Sequence, residues 1–113
     1  MDQPAAIDAF AALAHPTRLE VFRLLIQQAP VAVPSLTIAD RLGAKPSTLS
    51  GHLSTLKRAG LVEATRHQRE IRYTADLSSI NALISFLLSE CCGGKVNHCN
   101  DILTLLEADT PAQ

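Results

Sequence analysis

Three thiols and a run of short hydroxyl side chains are the residues of this chain best placed to do chemistry. Cys91 and Cys92 are adjacent, Gly93-Gly94 allows a sharp reversal, and Cys99 can then return toward the pair. Three converging thiolates select a soft ion. A trivalent ion with a lone pair, As(III) or Sb(III), takes three sulfurs in a pyramid and forms a neutral complex with them. Zn(II) or Cd(II) prefers four tetrahedral ligands at loop spacings of about two to four residues, so it suits adjacent cysteines less well, although His98 can supply a fourth ligand. The odd count of three, all in one segment, fits reduced ligands better than a disulfide framework. Two other readings remain. The thiols can be inert small hydrophobes, or vicinal redox groups that reduce arsenate or sense a peroxide or persulfide. The sequence holds no phosphate-like oxyanion loop with a nucleophilic cysteine, which weighs against an enzyme.

The second group lies in Pro-Ser-Thr-Leu-Ser-Gly-His-Leu-Ser-Thr-Leu, from Pro46 to Leu56. A helix over Pro46 to Ala59 buries Leu49, Leu53 and Leu56 and leaves Ser47, Thr48, Ser50, Gly51, His52 and Thr55 on other faces. A helix that enters the DNA major groove must approach base edges closely, so short hydrogen-bonding side chains suit its exposed face. Each residue alone has a plain structural reading, Ser47 as a helix start and His52 as a half-buried polar group; the joint pattern is the more specific signal. Arg66, His67 and Arg69 follow in a polar turn, placed to meet phosphate or the minor groove, or simply solvated. Tyr73 reads as packed.

The elements that must position these groups can be read from periodicity and breakers. A short helix runs from Ile7 to Ala14, with Phe10 and Leu13 apolar. A core helix follows from Thr17 to Gln28 on Leu19, Phe22, Leu25 and Ile26, with Pro16 in its first turn. Ala29 to Pro34 breaks it. Leu36 to Leu42 forms a third helix on Leu36, Ile38, Ala39 and Leu42, stopped by Gly43. After the fourth helix and Gly60, Leu61–Thr65 and Ile71–Thr74 alternate as two strands joined by residues 66–70. Leu77 to Ser89 is more apolar than one small core needs and is expected at a dimer interface. Asn100 or Asp101 can cap a last helix carrying Ile102, Leu103, Leu105 and Leu106. The expected fold is mainly α with a small β-hairpin, a homodimeric winged helix-turn-helix. Residues 1–113 form one domain, with an inducer-binding segment at 91–99.

A chain of 113 residues, 47% hydrophobic, suits one compact domain that gains stability from a second subunit. Its net charge of −1 hides an uneven distribution: residues 41–73 hold seven basic against two acidic residues, an excess of +5 that leaves −6 on the rest. A basic middle between acidic arms is expected where one surface meets phosphates and the others must not. The N-terminal stretch is acidic before Arg18, unlike a secretory or transit peptide, and the apolar run at 82–88 is too short to span a bilayer. No membrane association and a cytoplasmic location are expected.

The run Leu13-Ala14-His15-Pro16-Thr17-Arg18-Leu19, then Leu42-Gly43, Ser47-Thr48-Leu49-Ser50-Gly51-His52-Leu53, Leu56 and Ala59-Gly60-Leu61-Val62, resembles the ArsR/SmtB family of metalloregulatory repressors. The resemblance covers nearly the whole chain. It implies a dimeric winged-helix repressor, bound to double-stranded operator DNA and released by an inducer. The family's cysteine-containing third-helix metal box would fall at 36–42, which has neither Cys nor His, and its fifth-helix zinc site would need a His that the sequence does not offer near Asp76. The Cys-Cys-Gly-Gly…Cys arrangement resembles arsenic-responsive members. The resemblance therefore implies a non-enzymatic repressor of an arsenic-detoxification operon, with As(III) or Sb(III) held by Cys91, Cys92 and Cys99. A Zn(II)- or Cd(II)-responsive repressor and a thiol redox sensor or enzyme are the alternatives.

Overall fold

The structure is a computed structural model and describes residues 1–91. In chain order the elements are α1 (Gln3–Leu13), α2 (Pro16–Gln28), β1 (Val33–Pro34), α3 (Ser35–Leu42), α4 (Pro46–Arg58), β2 (Val62–His67), β3 (Glu70–Ala75) and α5 (Leu77–Cys91). The expected last helix, with Cys92, His98 and Cys99, lies outside the described residues. No described helix is long and apolar enough to cross a membrane.

The helix ends follow local chemistry. Asp2 caps α1 by accepting from the Ala5 N–H at 2.9 Å, and the Asp76 carboxylate accepts from the Ser78 and Ser79 N–H groups at the start of α5. Helices α3 and α4 both stop at glycines in the left-handed region, Gly43 at φ 63° and Gly60 at φ 78°. The bonds there are Ala44 N–H to the Ala39 carbonyl and Leu61 N–H to the Leu56 carbonyl, each spanning a reversed last turn. That short stop after α3 lets α4 begin at Pro46 and sets the helix-turn-helix.

The core forms where these elements meet. Val21, Phe22 and Leu25 of α2, Ile38 of α3 and Leu49, Leu53 and Leu56 of α4 are buried together, closed by Leu61, Val62 and Leu83. Helix α1 joins through Ala6, Ala9 and Ala12, whose small side chains allow a close approach. Three apolar positions expected inside face outward: Leu19 and Ile26 of α2 and Leu36 of α3 are exposed. In α2 the buried stripe takes in Val21 instead, on the other side of Phe22 and Leu25 from the expected Leu19-Ile26 edge.

The sheet has three strands in the order β1-β3-β2, one more than the expected hairpin. Val33 pairs with Tyr73 and Pro34 with Arg72, so the expected breaker between α2 and α3 also adds an edge strand. Proline is tolerated there because an edge position has no second neighbour to receive an N–H. The hairpin strands are longer than expected and the turn shorter: Arg66 pairs with Ile71 and His67 with Glu70, leaving only Gln68 and Arg69 between them. Gln68 takes φ 61°, the positive value that a two-residue hairpin turn demands.

Candidate nucleic-acid interface

Helix α4 carries its core residues on one side and its small residues on the other. With Leu49, Leu53 and Leu56 buried, the face directly opposite is Ser47, Gly51, Ser54 and Arg58, all exposed. Thr48 and Ser50 are exposed on its flanks. Ser54 belongs to this face in addition to the residues expected from the sequence, and the i, i+3, i+7 spacing from Ser47 through Ser50 to Ser54 carries its signal. Ser50 borders a small hollow of about 90 Å³ shared with Ser35, Leu53, Ile71 and Tyr73, which seats the helix beside the sheet. Tyr73 is half-buried against the core, as expected.

His52 and Thr55 are placed differently from the other polar residues of α4. Thr55 is half-buried and donates its hydroxyl to the Gly51 carbonyl at 3.1 Å. His52 is half-buried and turned toward α2. Its ring lies 4.5 Å from that of His15 at 44°, and its Nδ1 is 3.4 Å from Arg18 Nη1. Loss of surrounding water, then the neighbouring His15 and Arg18, lower the His52 pKa below its ordinary value. The boundary at His15-Pro16 is legible in the sequence, and the place of His15 directly before Pro16, where a side chain caps a helix, is the signal for its role.

At the wing, Arg66, His67 and Arg69 are all exposed. Glu70 is engaged by Arg72, whose Nε donates to its carboxylate at 2.6 Å, the only ion pair among the described residues. Arg66 and Arg69 are thus left free to meet an external anion. The wing tip and the start of α3 enclose an open groove of about 610 Å³, with His67 and Arg69 on one side and Ser35 and Leu36 on the other. Lys57 and Arg58 project from the last turn of α4. Small side chains on one helix face and unpaired guanidinium groups on an adjacent hairpin can together hold a DNA duplex, the helix against base edges and the hairpin against phosphate.

Of the thiol site, only Cys91 is reached by a described element, as the last residue of α5; Cys92 and Cys99 lie outside the described residues. Among the described residues no three His, Cys, Asp or Glu side chains are grouped so as to hold a metal ion. Asp76, considered above for a fifth-helix zinc site, serves as the α5 cap.

Comparison with known proteins agrees with this geometry. Residues 13–65 match a family model described as a helix-turn-helix domain. The HTH-type transcriptional regulator YbzH of Bacillus subtilis is 31% identical, the match covering 74% of this chain and 96% of that one. The HTH-type transcriptional regulator YgaV of Escherichia coli is 30% identical over 80% of this chain and 88% of its own length. Among solved structures, an ArsR-like transcriptional regulator from Rhodococcus superposes with a TM-score of 0.68 at 27% identity, over 91% of this chain and 92% of that one. HlyU from Vibrio cholerae gives 0.64 at 26%, over 81% and 99% respectively. A structure described as a possible transcriptional regulator for arsenical resistance gives 0.63 at 28%, over 73% and 82%. With the winged helix-turn-helix in place, this chain belongs to the helix-turn-helix transcriptional regulators of the ArsR and HlyU type.

Proposed function

We propose that this regulator is a homodimeric repressor that leaves its operator when As(III) or Sb(III) is bound by Cys91, Cys92 and Cys99. The observation that carries the reading is the thiol cluster itself, three cysteines within nine residues around Gly93-Gly94 at the end of α5. Thiolate in threes matches the valence and charge of a trivalent soft ion. The similarity to a possible regulator for arsenical resistance supports the same inducer class. Ser47, Thr48, Ser50, Gly51 and Ser54 are assigned to the bases, and Arg66, His67 and Arg69 to phosphate. His52 and Thr55 support the helix from its half-buried side.

A second reading, thiol redox sensing by the vicinal Cys91-Cys92 pair, is favoured by the likeness to HlyU, one structure of which is described as reduced, at 27% identity. One experiment separates the two: operator-bound protein titrated with As(III), Sb(III), Zn(II), Cd(II) and, separately, hydrogen peroxide. Release by the trivalent ions in the presence of a monothiol reductant supports the first reading. Release by peroxide alone supports the second.

A further inference from the structure

We propose that His15 and Arg18 are positioning residues for α4, holding the neutral imidazole of His52 so that protonation of His52 loosens the helix and weakens operator binding. This rests on α4 being the helix that reads DNA.

Arg18 ties three helices at one corner. Rooted in the first turn of α2, it donates from Nε to the Ala12 carbonyl at 2.6 Å, an acceptor in the last turn of α1, and presents Nη1 to His52 Nδ1 of α4 at 3.4 Å. A guanidinium can only donate. Accepting that donor requires a lone pair on His52 Nδ1, and so the tautomer with the ring proton on Nε2. His15 is held in the same way: its Nδ1 accepts from the Thr17 N–H at 3.1 Å, fixing the ring that lies against His52.

A second proton on His52 would turn Nδ1 from acceptor to donor in front of a guanidinium, and set two cations side by side. Little is present to offset that. The titratable and charged groups facing His52 are His15 and Arg18 from α2. Helix α1 brings the Ala12 carbonyl to Arg18, and places Asp8 in the adjoining groove shared by Arg18, Thr55 and Arg58; α4 itself adds the cation Arg58 there. Asp8 forms no ion pair with any of them. The lowered pKa of His52 agrees with this surrounding.

The sign of the effect distinguishes it from ordinary DNA electrostatics. A cation beside phosphate strengthens binding, whereas protonation of His52 should do the reverse; His67, exposed on the wing, is replaced in the assay to isolate the effect of His52. The probe is a fluorescein-labelled duplex selected by this protein from a random-sequence pool, followed by anisotropy from about pH 8 to about pH 5.5, the range in which histidines titrate. In a His67→Ala background, affinity should fall on the acid side by up to about tenfold per pH unit per protomer, the slope of one proton released on binding. His52→Asn places an acceptor near the Nδ1 position that cannot titrate. Whatever its affinity at the alkaline end, its acid-side loss should vanish. Arg18→Met should weaken binding across the range and move the acid midpoint upward. If a variant does not fold, NMR titration of the His52 ring in the wild-type protein decides: its midpoint should lie lower in the DNA complex than in the free protein. An acid-side loss that persists in His52→Asn, or a His52 midpoint equal or higher in the complex, overturns the proposal. Ser50→Ala checks the underlying reading separately: unchanged sequence preference there removes α4 from the bases, whatever the pH profile shows.

Discussion

Gly51 is the residue whose chemistry is most exposed to test. A glycine inside a helix costs about 1 kcal/mol relative to alanine, and a Cβ built at Gly51 meets nothing within 4 Å. Nothing in the free protein asks for glycine here. Close approach of DNA to the α4 backbone does, so Gly51→Ala should raise the melting temperature while weakening operator binding; a variant both more stable and equally tight would take Gly51 off the interface. Arg66→Ala and Arg69→Ala should each flatten the dependence of log affinity on log salt by about one unit, through counterion release. Slopes unchanged in both would mean that the wing does not touch phosphate. His52 also makes a stability statement. Because its folded pKa is lowered, the unfolded chain takes up the proton first as pH falls below about 6.5, so this contribution is complete above that pH and declines below it. The hydroxyl-rich run and the basic wing were legible because residue type alone marks them. The inward turn of His52 was not, because it depends on His15 and Arg18, more than thirty positions away in sequence.

At the scale of elements, two glycines set the geometry of the DNA-reading unit. Gly60 sits at φ 78° with open space where a Cβ would go, so Gly60→Ala should cost only the left-handed backbone penalty, about 1–2 kcal/mol, in urea unfolding. A much larger loss would indicate that the turn into β2 carries strain elsewhere. Both stops were readable, since Gly43 and Gly60 each follow an apolar period that ends. Strand β1 was not, because its two residues, Val33 and Pro34, have no periodicity of their own, and a proline signals a break; they become a strand only by pairing with β3. The misplaced face of α2 has a similar cause. Leu19, Phe22, Leu25 and Ile26 fit a helical stripe, and so do Val21, Phe22 and Leu25; the neighbours α1 and α4 select the second.

Among the described residues, α1 and α5, which pack against each other, leave large apolar side chains outside the core. Ile7 and Phe10 of α1 and Leu77 and Leu87 of α5 are exposed, at 56%, 43%, 50% and 48%. Such a surface suits a second copy. In the proposed homodimer, Leu87→Glu should halve the mass found by sedimentation and weaken operator binding with it, whereas an unchanged mass would take this face of α5 out of the proposed contact. Cys91 ends the same α5, so an ion that draws Cys99 onto Cys91-Cys92 acts on the helix assigned to the subunit contact. A coupling of about 1–3 kcal/mol lowers operator affinity roughly 5- to 150-fold, enough for induction. The most direct measurement is release of labelled operator duplex as As(III) is added, wild type against Cys99→Ser. Three-sulfur coordination requires the variant to bind operator yet release it only at far higher As(III), since two sulfurs leave one arsenic valence to water or a small thiol; equal release midpoints would contradict the three-thiolate site.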